Sequence, residues 1–78
     1  MKLVYLEWVD SVSAPDGGWQ DPKEVKKLTP DTVRSVGWII SETKDFVTLI
    51  SHDGEHEVSG EFCIPKACIK KRRVIRLG

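Results

Sequence analysis

The chain has 78 residues, 40% of them hydrophobic and 31% charged, and its twelve Lys and Arg balance twelve Asp and Glu. That length fits one small domain over residues 1–78 and excludes a second; a domain of this size buries only about 60% of its unfolded surface, so self-association is a natural supplement to a thin core. No apolar run is long enough to span a membrane, MKLVYLEWVD is too charged for a signal peptide, and two cysteines are too few for a disulfide framework, which predicts a soluble cytoplasmic protein.

Residues 2–9 put Val4, Leu6 and Trp8 on one side of an extended chain and Leu3, Tyr5 and Val9 on the other, predicting a strand apolar on both faces. SVSAPDGG at 11–18 ends that strand in a loop. In the connection that follows, Asp21-Pro22-Lys23-Glu24 combines an N-cap acid, a first-turn proline and an early carboxylate, so one helical turn is expected there, anchored by Val25 and Leu28 and closed by Thr29-Pro30-Asp31. A connection of about twenty residues in so small a domain implies local structure or a binding role. TVRSVGWIISE at 32–42 is rich in β-branched residues and predicts a strand, in which Gly37 marks a sharp bend or bulge. Thr43-Lys44-Asp45 is a polar turn, FVTLI at 46–50 a further strand, and Asp53-Gly54 a hairpin signal. A short strand over 61–64, a one-turn connection over 65–68 and a last strand over 69–77 complete the chain. The expectation is an all-β fold, a small, five-stranded, strongly bent antiparallel barrel whose long first loop holds at most one helical turn.

The charges are segregated. Residues 1–31 hold four Lys and six acids, residues 32–61 two bases and six acids, and residues 62–78 six bases and no acid. A nucleic-acid coat binding over its whole surface would be net basic, so any anion site must be local. The final cluster is Lys66, Lys70, Lys71, Arg72, Arg73 and Arg76. It reads either as such a site or as a basic edge strand that repels like edges and pairs with the acidic middle segment.

The second half, SVGWIISETKDFVTLI followed by FCIPKACIKKRRVI, resembles the Sm-like and SH3-like small barrels. Gly37, Asp45, Ile64, Lys66 and Ile69 stand where that pattern has its bending glycine, its turn acid and its late isoleucine–lysine turn. Because the chain opens with a strand rather than a helix and contains no Asn, the resemblance implies the barrel and not a transferred base-reading asparagine pair. The whole string also resembles short proteins of bacterial viruses, through WVDS at 8–11, GW at 18–19, SVGW at 35–38 and IPK at 64–66.

Three constellations carry possible chemistry. His52, His56, Cys63 and Cys68 have zinc-ligand side chains, but three, six and four intervening residues depart from zinc-knuckle spacing, so no metal ligand is assigned and whether the four meet stays open. Trp8 and Trp38 lie in periodic strands and read as core. Trp19 follows Asp16-Gly17-Gly18 without apolar periodicity; it is either a stacking or protein-binding anchor, or a ring folded back over an open end of the barrel.

Together these features predict a non-catalytic, oligomeric binding module without a cofactor. It would hold an anionic ligand, a nucleotide, cyclic nucleotide or short nucleic acid, through Trp19, Arg34, Lys66, Lys71, Arg72 and Arg73. The viral resemblance implies a role in blunting a host defence that signals through nucleotides. The alternative is a protein-interaction factor that binds and inhibits or redirects a host or virion protein through the Trp19 loop.

Overall fold

The computed structural model describes residues 1–13 and 18–78; part of the expected loop at 11–18, residues 14–17, lies outside the described residues. Strand β1 spans Leu3–Asp10, helix α1 Pro22–Val25, and strands β2 and β3 Asp31–Glu42 and Phe46–Ile50. Two short strands, β4 (His52–Asp53) and β5 (Val58–Ser59), precede β6 (Phe62–Pro65), a 3-10 turn at Lys66–Cys68 and β7 (Ile69–Ile75). The fold is mainly β, as expected, and its main sheet has five antiparallel strands in the order β6-β3-β2-β1-β7. The expected hairpin at Asp53-Gly54 is a small sheet of its own, β4 against β5, and Gly54 N–H donates to Glu57 O at 2.9 Å, closing the turn around Glu55-His56.

The two edge strands, β6 and β7, are consecutive in the chain and joined by only three residues. In a flat sheet the edges of five strands would stand about 19 Å apart, four steps of about 4.8 Å. The connection from β6 to β7 spans at most about 14 Å even if fully extended. The sheet therefore curls. The curl is concentrated in β2, which pairs with β1 through Trp38 and with β3 from Trp38 onward, with an irregularity in register between Ile39 and Ser41. Gly37 sits at this changeover. A Cβ there would lie 2.8 Å from the Ile50 carbonyl oxygen and 3.2 Å from the Leu49 Cβ, so β3 can cross this closely only over a glycine.

The curled faces enclose a core of Val4 and Leu6 from β1, Val47 and Leu49 from β3, and Ile64 from β6, with Trp8, Ile39, Phe62 and Ile69 packed against it. Trp8 thus belongs to the core, as expected, and its indole Nε1 donates to Ser35 Oγ at 3.0 Å. Helix α1 begins as the sequence predicts: Asp21 accepts from the Lys23 amide at 2.9 Å and Pro22 occupies the first turn. Val25 and Leu28, however, remain exposed and anchor nothing in the core. No helix among the described residues is long and apolar enough to cross a membrane.

Candidate functional site

Successive side chains of a strand alternate between faces, so register decides which charges meet. On β1, Val4, Leu6 and Trp8 turn toward the core, leaving Tyr5 and Glu7 on the outer face. Tyr5 lies between Val36 of β2 and Arg73 of β7, and Glu7 between Arg34 of β2 and Lys71 of β7. Next to this row the β1–β7 register shifts between Glu7 and Trp8, and Lys70 is the extra residue. Its Nζ reaches Thr32 Oγ1 of β2 at 3.4 Å, across the same outer face. Arg34, Lys70, Lys71 and Arg73 therefore surround the Tyr5–Glu7 pair.

Within that pair the Tyr5 hydroxyl donates to Glu7 Oε2 at 2.6 Å. The bond holds the Glu7 carboxyl below its usual range, with Lys71, Lys70 and Arg34 adding to the effect against partial burial. The same bond raises the Tyr5 phenol. Lys71 Nζ approaches Glu7 Oε2 only to 4.0 Å. The face thus carries four cations against one carboxylate, beside a half-buried aromatic ring whose hydroxyl is pinned.

The other two basic site residues foreseen from the sequence lie elsewhere. Arg72 stands opposite Leu6, on the inward side of β7, and its Nη1 and Nη2 donate to Glu42 Oε2 and Oε1 at 2.9 and 3.0 Å. Lys66 Nζ lies 2.8 Å from Glu42 Oε2. Arg72 first, and then Lys66, hold the Glu42 carboxyl down to about 2. The basic strand and the acidic middle segment do pair, as one reading of the sequence expected, but through this side-chain clasp: the backbone partner of β7 is β1.

Trp19 is fully exposed and lines a shallow depression with Gly18, Gln20 and Val25. The reading in which it folds back over the end of the barrel is not what the structure holds, since the ring is fully exposed and the adjoining helix is a single turn that buries no residue. Trp38 is half-buried on the outer side of β2, opposite Leu3 of β1. His52 and His56 lie in and beside the β4–β5 turn, while Cys63 is on β6 and Cys68 in the 3-10 turn, both free thiols. Among the described residues no three His, Cys, Asp or Glu side chains converge in a metal-binding group.

The sequence reading missed Tyr5, Glu7 and Lys70 as parts of the site. Alternation along residues 2–9 signalled the outer placement of Tyr5, but nothing local showed which charges would flank it. Comparison of the chain with protein-family models, curated proteins and solved structures finds no match.

Proposed function

We propose that this chain is a binding module that holds an anionic ligand, a nucleotide, cyclic nucleotide or short single strand of nucleic acid, on the outer face formed by β2, β1 and β7. The observation that carries the reading is the gathering of Arg34, Lys70, Lys71 and Arg73 around Tyr5 and Glu7 on one open sheet face. Cations that track phosphates, set beside an aromatic ring on which a base can stack, are the ingredients of such surfaces. The strand order and the bend at Gly37 support a small barrel of the Sm-like or SH3-like kind as the scaffold. The edge strands β6 and β7, each paired along one side among the described residues, support self-association by strand addition. On the resemblance to proteins of bacterial viruses, the role of such binding is to withhold a nucleotide signal from a host defence in the host cytoplasm.

Fluorescence anisotropy with labelled oligouridylate tests the reading. Affinity should fall with salt at a log–log slope of about −0.7 per phosphate engaged, and the slope should shrink when Arg34 and Arg73 are both replaced by Gln. Binding indifferent to salt and to that double substitution contradicts it. A second reading, attachment to a host or virion protein, is favoured by one observation: the indole of Trp19 is fully exposed and lines a shallow depression with exposed Val25. A stoichiometric partner captured by the wild type and lost in Trp19→Ala would favour it over the first.

A further inference from the structure

Resting on that anion-binding reading, we propose that Glu7 is the specificity-determining residue of the face, accepting the N1–H and N2–H donors of a guanine, so that the ligand is a guanine nucleotide unit. A surface that only neutralised phosphate would gain nothing from a carboxylate at its centre. Glu7 stands there opposite Arg34 in one ladder and Lys71 in the other. Yet its hydrogen bond is to the Tyr5 hydroxyl, at 2.6 Å, and its ion-pair contact with Lys71 is 4.0 Å long. An ionised carboxylate offers about four acceptor directions, of which Tyr5 fills one. The Glu7 side chain is 26% exposed, so the remaining directions are within reach of a ligand lying on the face.

The chemistry of the bases makes the choice. Guanine presents two adjacent donors on its Watson–Crick edge and matches the two oxygens of a carboxylate. Adenine and cytosine present a donor beside a bare ring nitrogen, and uracil a donor between two carbonyls, so each turns a lone pair toward the carboxylate. The surroundings suit the rest of the nucleotide. Lys71 and Arg73 alternate on the outer side of edge strand β7, about 6.8 Å apart along the chain, where they can hold phosphate. From there a base directed inward crosses β1, with the Tyr5 ring and exposed Val36 beneath it and Glu7 at its edge. The bond from the Tyr5 hydroxyl to Glu7 fixes ring and carboxylate together before any ligand arrives.

The test measures anisotropy with oligouridylates carrying one central guanosine, inosine, which lacks the N2 amino group, or adenosine. The wild type should prefer guanosine over adenosine by roughly tenfold or more, with inosine between, and Glu7→Gln should collapse these ratios. Because the inosine comparison uses only the wild-type protein, it stands even if Glu7→Gln fails to fold. Equal binding of all three probes by the wild type overturns the role of Glu7 while leaving the basic face as a phosphate site. Failure to bind any of the probes overturns the anion-binding reading and this inference with it. Competition with free guanosine monophosphate separates the two forms of the unit: displacement of the probe identifies the free nucleotide, and its absence the strand.

Discussion

Glu42 at the end of β2 and Arg72 in the middle of β7 meet in a two-point ion pair of 2.9 and 3.0 Å, although β1 lies between their strands in the sheet. Arg72 is level with Leu6, which is itself level with Ser35, seven positions before Glu42 on β2. In a flat sheet that offset alone is about 23 Å along the strand. The pair therefore exists only because β2 bends at Gly37 and carries its second half over β7, and Lys66 adds a third charge to the same carboxylate.

This clasp should make the fold acid-sensitive in a defined window. With Arg72 and then Lys66 beside it, the Glu42 carboxyl is lowered from 4.5 to about 2 in the folded chain. A group whose folded value is depressed stabilises above its unfolded value and loses that contribution as pH falls toward the folded one. The wild-type melting temperature should thus drop between about pH 4.5 and pH 2, whereas Glu42→Gln should melt a few degrees lower at neutral pH and show a flatter profile. Thermal melts across that range, with identical profiles for both proteins, would contradict the clasp.

Adjacent arginines should behave as different kinds of residue. Arg72→Gln removes the donor fork from Glu42 and should lower the melting temperature. Arg73→Gln, whose position is on the outer face opposite Tyr5, should melt as the wild type does and lose affinity for oligonucleotide with a shallower salt dependence. Paired melting and binding curves check both halves of the statement.

At the bend, Gly37→Ala should destabilise the protein by about 1–3 kcal/mol, since the added methyl meets β3 backbone that cannot move without dragging the core. Leu6→Ala, at the fully buried centre of β1, should remove about 2–5 kcal/mol. Urea unfolding should rank both far above Val36→Ala, on the exposed side of β2.

Trp19→Phe should leave the melting curve unchanged, because the indole is fully exposed. It should also remove the most red-shifted part of the tryptophan emission, leaving Trp8 and Trp38, both half-buried. A large loss of stability on this substitution would show that the ring packs in solution.

The elements that were legible in the sequence are those set by neighbours in the chain. Asp21-Pro22 starts the helical turn, Gly37 marks the bend, FVTLI forms β3 over the expected residues, and the connection at 65–68 becomes a 3-10 turn. The site was less legible because it depends on register between distant strands. In the sequence, Lys70 through Arg73 form one basic run. Alternation sends Arg72 inward to Glu42 while Lys71 and Arg73 face out, and the register shift next to Glu7 lets Lys70 face out too. Trp19 was legible as exposed from its polar, glycine-rich neighbours, but the depression it lines with Gly18, Gln20 and Val25 depends on how the loop meets the helical turn, which no local pattern shows.

The most direct test of the central claim is mapping oligouridylate onto the folded protein by amide chemical-shift perturbation. The account predicts shifts concentrated at Tyr5, Glu7, Arg34, Lys71 and Arg73, with Trp19 and the β4–β5 hairpin unaffected. Shifts confined to Trp19, Val25 and Leu28, or no shifts at all at low salt, would contradict it.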